Sequence, residues 1–485
     1  MSVPEKKASL TLCQRLRLFL LFHWAGLVMF LTPLALLPLL FLEPALEYRC
    51  AYVLFLMSIL WITEAMPLYV TSLLPIVLFP IMGILDSEHV CRVYFSNSLV
   101  LFFGSLVIAL AIEYCNLHKR VALWVILCVG CSPRKLHFSL MLVTMFISMW
   151  LSNSAATSMM CPVVKALLNE MASENMLEMM EEKNMNDGTH ANGFPKPSKI
   201  VISYYLGVAF AASVGGCATL VGTGTNISFK GVYDARFPHS HDLNFLTFAL
   251  FSMPTMLFII ACIYLYLQWL HFGLFKPDSK QARQVRESAQ YEHVTACVLH
   301  KRLKELGPIS CHELQVATLF LAMIIFLVTR HPGSYGGWSQ LFQHNMVKDS
   351  FPVIAIVVLL FMLPVNYKFF RNLTCGRVLG LEELCTTPAL LTWQFLNANN
   401  HWGLLLLTGG GLALAEGIKA SGFAALVGAS FSALQFVPPC VLQFFCICIA
   451  LMLTAFSSNI AMCNIIIPIL MEIVIPSQRT YIRCI

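Results

Sequence analysis

Apolar blocks of about 20 residues recur along this 485-residue chain, the length that a helix needs to cross the roughly 30 Å hydrocarbon core of a bilayer. Hydrophobic residues make up 58% of the sequence and charged residues 12%, whereas soluble domains carry about 25% charged residues. Lipid must therefore solvate much of the apolar surface. Helices are expected because backbone groups in lipid must be satisfied within each segment, and the sequence has no alternating barrel pattern. The sequence predicts an all-α polytopic membrane protein.

The net charge of +6 does not point to nucleic acid as a partner. Lys and Arg lie mostly in short segments between the apolar blocks, where they set orientation by the positive-inside rule. Lys6, Lys7, Arg15 and Arg17 precede an apolar run from Leu18 to Leu42, which is too long for the core of a signal peptide. This run is predicted to be the first span, with the N-terminus in the cytoplasm.

Two distant segments repeat each other. Ser152-Asn153-x-Ala155, followed by Pro162, reappears 306 residues later (459 − 153) as a second Ser-Asn-x-Ala segment with its own proline. The surrounding apolar runs, 138–168 and 440–475, hold 31 and 36 residues. Each is too long for one crossing and too short for two, which need about 40 residues. Each run is predicted to be a re-entrant helical hairpin with a polar tip. The alternative is that each Ser-Asn pair only packs helices together.

The charges that follow the two copies predict their relative orientation. A segment after the first copy of Ala-Leu-Ala carries Lys119 and Arg120, whereas the matching segment carries Glu416 and Lys419. Cationic loops stay inside, so the two copies are expected to have opposite orientations. Weak internal symmetry of this kind is typical of secondary transporters with inverted repeats.

A Gly- and Thr-rich stretch, Gly215–Asn226, interrupts the apolar sequence within 200–240. Its four glycines disfavour a continuous helix, since each costs about 1 kcal/mol relative to Ala. A broken helix whose freed carbonyls coordinate a cation is the functional interpretation. Small-residue packing between helices is the alternative.

The predicted organisation has three parts. Residues 1–271 form the first repeat, with scaffold spans, the hairpin 138–168 and the broken helix 200–240. The basic segment 272–313 connects the halves in the cytoplasm, and residues 314–485 form the second repeat with the hairpin 440–475.

The polar tips contain no charged residue within 144–163, 213–229 and 451–468. They offer backbone carbonyls and Ser, Thr and Asn oxygens, which are ligands for hard cations. Two helix N-termini supply about +0.5 charge each, which leaves a bound dianion about one charge short. Bound sodium ions are expected to supply that charge.

Five segments resemble the sodium-coupled divalent-anion symporters, a family of sodium/dicarboxylate, citrate and sulfate cotransporters. These segments are Thr63–Leu68, Asn116–Arg120, Trp150–Ser154, Gly409–Gly411 and Ser457–Asn459. The resemblance covers residues 12 to 475 and is stronger to the dicarboxylate branch. It implies a homodimer of elevator-type transporters, each with a scaffold domain and a transport domain.

The resemblance also implies three groups of site residues. A first sodium site would comprise Ser148, Ser152, Asn153, Gly222, Thr223, Gly224 and Asn226. A second sodium site would comprise Thr454, Ser457 and Asn459. The substrate, a small dianionic carboxylate, would contact Asn153, Ser154, Thr223, Ser458, Asn459 and Ile460. Sodium would be co-transported.

The position that corresponds to Gly222 in the second repeat would be 528 (222 + 306), beyond residue 485. The second repeat is therefore expected to be incomplete and the protein truncated at its C-terminus. The leading hypothesis is sodium-coupled symport of di- or tricarboxylates of the succinate/citrate class across the plasma membrane. The alternatives are sulfate-type symport and a non-transporting variant that modulates full-length partners. Hydrolase signatures such as HExxH and GxSxG are absent from the sequence, so no enzymatic activity is expected.

Overall fold

The computed structural model describes most of the chain as helix. The described residues are 11–42, 45–173, 179–180, 197–237, 243–276, 278–289, 292–330, 337–342, 347–367, 387–423, 425–426, 438–455 and 457–482. Within these ranges the regular secondary structure is helical, which confirms the predicted all-α class.

The helices are numbered in chain order. The first ten are α1 (Leu12–Leu42), α2 (Leu46–Thr63), α3 (Leu68–Thr71), α4 (Leu74–Met82), α5 (Ser87–Val93), α6 (Asn97–Tyr114), α7 (Leu117–Val129), α8 (Pro133–Ser148), α9 (Asn153–Ser173) and α10 (Lys199–Gly215). The others are α11 (Gly224–Arg236), α12 (Phe245–His271), α13 (Lys280–Ala289), α14 (Glu292–Glu305), α15 (Cys311–Thr329), α16 (Ser350–Met362), α17 (Trp393–Asn399), α18 (Trp402–Ala420), α19 (Pro439–Thr454) and α20 (Asn459–Ile482).

Six helical segments of the described residues are long and apolar enough to cross a bilayer. They are Arg17–Phe41, Leu46–Thr63, Ser87–Tyr114, Phe245–His271, Cys311–Thr329 and Trp402–Ala420. In the 18-residue apolar stretch of α12 only 6% is buried inside the protein. Phe251 and Phe258 on this helix are 81% and 70% exposed. Apolar side chains exposed on this scale require a lipid environment. The chain is therefore a multi-pass membrane protein, as predicted.

Three helix breaks fall at the polar segments. The first separates α8 from α9 over residues 149–152, and the second separates α10 from α11 over residues 216–223. The third separates α19, which ends at Thr454, from α20, which begins at Asn459. The bounds of α19 are those of α8 displaced by 306 residues (439 − 133 and 454 − 148), and α20 begins 306 residues after α9.

One compact unit contains residues 1–99, 227–239 and 401–485. Its core is built from α2, α4, α18 and α20, and includes the fully buried Trp61, Phe79 and Leu414. The glycine run of α18 permits close packing, since a Cβ at Gly411 would overlap the amide of Asn464 in α20.

The other compact unit contains residues 100–226 and 240–400. Helices α7, α8, α9, α10 and α14 share one hydrophobic core. Inside it the buried His137 of α8 hydrogen-bonds through Nε2 to the Ser203 carbonyl of α10 at 3.1 Å, and through Nδ1 to the Gln268 amide of α12 at 3.1 Å. A carbonyl only accepts, so Nε2 carries the proton and Nδ1 accepts from Gln268. Leu151 of the first break belongs to this core, whereas Met149 of the first break and Ala218 of the second pack together in a neighbouring hydrophobic cluster.

The two units are defined by compactness alone. The predicted parts 1–271, 272–313 and 314–485 describe the duplication of the sequence and not its compact units. This division therefore stays a prediction.

Candidate functional site

The break between α8 and α9 brings two polar oxygens together. Ser148, the last residue of α8, is fully buried, and its hydroxyl lies 2.6 Å from the Ala212 carbonyl of α10 and 3.0 Å from Asn153 Oδ1. A hydroxyl has one proton, so it donates to one of these oxygens at a time. Lone pairs on Ser148 and Asn153 therefore remain available for a cation.

Asn226 ties down the carbonyls that the break between α10 and α11 releases. Its Nδ2 donates to the Gly216 carbonyl at 3.1 Å and to the Thr219 carbonyl at 2.8 Å. The Gly222 amide donates to the Thr219 hydroxyl at 3.1 Å. These bonds fix a loop of non-helical backbone that is buried in protein, the condition under which such backbone is tolerated at membrane depth.

Thr219 joins the two breaks. Its hydroxyl donates to the carbonyl of Met149, the first residue of the α8–α9 break. The glycines allow this approach: a Cβ at Gly216 would overlap Asn153 Oδ1, and a Cβ at Gly222 would lie 2.6 Å from the Gly216 carbonyl oxygen. The stretch from 215 to 226 thus needs glycine for close approach of the backbone.

The structure connects four of the seven residues assigned to the first sodium site. Ser148, Asn153, Gly222 and Asn226 belong to one continuous group of contacts through Gly216 and Thr219.

The other three have local roles at helix starts. The Ser152 hydroxyl accepts from the Ala155 amide at 3.3 Å and caps α9, Gly224 is the first residue of α11, and the Thr223 hydroxyl lies 3.1 Å from that of Thr225. Ser154, assigned to substrate, is exposed on the first turn of α9.

The residues assigned to the second sodium site are anchored separately. The Thr454 hydroxyl donates within its own helix, to the Ala450 carbonyl at 2.9 Å, and the Ser457 hydroxyl donates to the Trp61 carbonyl at 3.0 Å. Asn459 is exposed at the start of α20.

Ser458 and Ile460, which were also assigned to the substrate, flank Asn459. The Ser458 carbonyl accepts from the Met462 amide at 3.0 Å, and Ile460 packs against the hydrophobic core of its unit.

Three further members of this group of contacts were not singled out from the sequence. They are Gly216, Thr219 and the Met149 carbonyl. The glycine- and threonine-rich stretch contains the first two, so its composition was the available signal. A backbone carbonyl has no sequence signature, which is why Met149 required the structure.

Comparison with known proteins gives one family. The model of the sodium:sulfate symporter transmembrane region matches residues 20–483. The Drosophila melanogaster protein named "I'm not dead yet" is 48% identical over 456 residues, which covers 93% of this chain and 77% of the fly protein.

Mammalian relatives are similar over the same extent. The Rattus norvegicus Na(+)/citrate cotransporter is 35% identical over 471 residues, covering 91% of this chain and 81% of the rat protein. The Homo sapiens Na(+)/dicarboxylate cotransporter 3 is 34% identical over 489 residues, covering 93% of this chain and 80% of the human protein. The multi-pass helices, the uncharged polar breaks and these matches together show that the chain belongs to the sodium:sulfate symporter family, whose members are transporters and not enzymes.

Proposed function

We propose that this protein is a sodium-coupled symporter of di- or tricarboxylates of the succinate/citrate class in the plasma membrane, with its N-terminus in the cytoplasm. The relatives named for citrate and dicarboxylate transport support the substrate class. The carboxylate class is favoured over sulfate because these names refer to carboxylates.

The joined breaks at 149–152 and 216–223 carry the proposal. They place Asn153 Oδ1, the buried Ser148 hydroxyl and several backbone carbonyls in one group that is at least half-buried, and no charged residue lies within 144–163 or 213–229. Neutral oxygens of this kind bind a hard monovalent cation without an opposing carboxylate. Sodium at Ser148, Ser152, Asn153, Gly222, Thr223, Gly224 and Asn226 is the proposed first site.

The substrate is proposed to meet helix N-termini. Helix α9 begins at Asn153 and α11 at Gly224, and each N-terminus carries about +0.5 charge. Asn153, Ser154 and Thr223 are the proposed contacts here. The exposure of Ser154 supports this assignment.

A corresponding role is proposed for the start of α20. Ser458, Asn459 and Ile460 would contact substrate, and Thr454, Ser457 and Asn459 would contribute to a second sodium site. The exposure of Asn459 at a helix N-terminus supports it.

We also infer inverted repeats, two re-entrant hairpins and an elevator-type homodimer. The 306-residue displacement that relates both ends of α8 to α19, and the start of α9 to that of α20, supports the repeats. The 16 residues of α8 and of α19 extend about 24 Å, short of a full crossing, which supports the hairpins.

Uptake of radiolabelled succinate and citrate into cells that express the protein tests the proposal. Uptake is expected to require external sodium and to fall at least about ten-fold in Asn153→Ala, since a cation ligand and a substrate contact are lost together.

The matched control is Ser158→Ala, on the same helix. The Ser158 hydroxyl donates to the carbonyl of Ala155 in its own helix, so this variant should keep wild-type uptake. Surface-expressed wild-type protein without sodium-dependent uptake would contradict the proposal, and sodium-dependent uptake of sulfate but not succinate would contradict the substrate class.

A further inference from the structure

A cavity of about 300 Å³ lies between α7, α9 and α14, apart from the helix breaks. Leu123 of α7, Leu167 of α9 and Leu299 of α14 form apolar walls, and each is less than 10% exposed. This volume is at the low end of the roughly 300–1,000 Å³ of ligand pockets. The cavity therefore suits one short apolar tail better than a lipid with two tails.

Charged side chains from two of the helices also line the cavity. Lys119 of α7 is exposed, and Arg302 and Glu305 of α14 are half-exposed. Arg302 and Glu305 pair with each other at 3.5 Å, which leaves the charge of Lys119 unbalanced among the three. A ligand head with a single negative charge complements this arrangement.

Three charged side chains that are exposed, Lys119, Arg302 and Glu305, lie along the cavity. Because charged side chains are costly in the bilayer core, this side of the cavity faces water or lipid headgroups, and a ligand would enter there.

We propose that this cavity binds a single-tailed amphiphile with a carboxylate head, a medium-chain fatty acid, with its tail between Leu123, Leu167 and Leu299 and its head at Lys119. The match of charge and the size of the cavity select this class. Burial of each CH₂ should raise the affinity about four-fold until the cavity is full.

The cavity is separate from the proposed transport site. It touches α9 at Pro162 and beyond, nine residues after Asn153 (162 − 153), which is about 14 Å along the helix. Fatty acid and succinate should therefore bind at the same time.

Equilibrium binding of radiolabelled decanoate to the full-length protein in phosphatidylcholine nanodiscs, corrected with empty nanodiscs, tests the proposal. Saturable binding is expected, with affinity rising from hexanoate through octanoate to decanoate and no displacement by succinate. Lys119→Glu should weaken decanoate about ten-fold or more, because attraction becomes repulsion. Lys301→Glu, an exposed change on α14 at a residue that does not line the cavity, should not weaken it.

Ala166→Trp provides an independent test by filling the cavity, with thermal unfolding as a check that the variant is folded. Loss of binding in this folded variant is expected. Three results would overturn the proposal. They are equal decanoate binding by wild type and Lys119→Glu, displacement of decanoate by succinate, and saturable binding of diacyl phosphatidylglycerol without saturable binding of decanoate.

Discussion

Asn153 occupies space that exists because residue 216 has no side chain. A Cβ at Gly216 would overlap Asn153 Oδ1, the atom 3.0 Å from the Ser148 hydroxyl. We expect Gly216→Ala to displace the Asn153 amide at a cost of about 1–3 kcal/mol, typical of overpacking in a dense interior. Sodium-dependent succinate uptake should fall about ten-fold or more, and higher sodium should restore part of it.

Gly26→Ala is the matched control, because a Cβ at Gly26 would meet nothing within 4 Å. In the middle of α1 alanine is also the better helix former, so expression and uptake should be unchanged or slightly improved. If Gly216→Ala transports like Gly26→Ala, the proposed role of Asn153 in sodium binding is wrong.

Part of the site could be anticipated from single residues and part could not. Asn153 lies in the repeated Ser-Asn segment and Asn226 in the Gly- and Thr-rich stretch, which are signals in the sequence itself, whereas Ser148 was assigned from the family resemblance. The bond from Thr219 to the Met149 carbonyl joins residues 70 positions apart, and the overlap between a Cβ at 216 and Asn153 depends on how two helices approach. Such contacts follow from packing and leave no local pattern.

At the scale of elements, Arg120 ties α7 to the segment that leads into α15. Its guanidinium donates to the carbonyls of Gly307 at 2.9 Å and Leu306 at 3.1 Å, and it lies 2.9 Å from a carboxylate oxygen of Glu313. The paired side chains are 14% and 10% exposed, so the pair is largely desolvated. Removing one partner would leave the other charge buried.

We expect Arg120→Ala to lower the free energy of unfolding by about 3 kcal/mol. Arg120→Lys should restore little of this stability, since the lysine ammonium lacks the planar array of N–H donors of the guanidinium. Thermal unfolding of purified protein measures the change. Arg92→Ala is the control, because the Arg92–Glu88 pair is 77% and 73% exposed and should matter little. Equal melting temperatures for both variants would rule out a stabilising role for the buried pair.

The sequence predicted where the helices break, but it predicted the outer ends of the surrounding helices less well. The predicted run 138–168 corresponds to α8 and α9, which together extend from Pro133 to Ser173. Apolar periodicity finds the centre of such a run, whereas its ends depend on local chemistry, here a proline in the first turn of α8 and a serine before it. The Arg120–Glu313 pair spans 193 residues, and nothing local in the sequence indicates it.

At the scale of the whole molecule, inverted repeats require the starts of α8 and α19 to face opposite sides of the membrane. Cys128 and Cys440 are exposed and lie near these starts, at the end of α7 and in the first turn of α19. Restored singly in a cysteine-free protein, they should react with an impermeant maleimide from opposite sides of the cell membrane.

The control is a protein without either cysteine, which should not be labelled. Labelling of both positions from the same side would contradict the inverted arrangement while leaving the family assignment intact.

The account as a whole depends on sodium serving as the positive charge of an uncharged site. Purified protein in liposomes, loaded with potassium and given labelled succinate outside, provides the most direct measurement. With an inward sodium gradient, succinate should accumulate above its external concentration and the accumulation should collapse when sodium is equilibrated. Equal accumulation with choline in place of sodium would contradict the account.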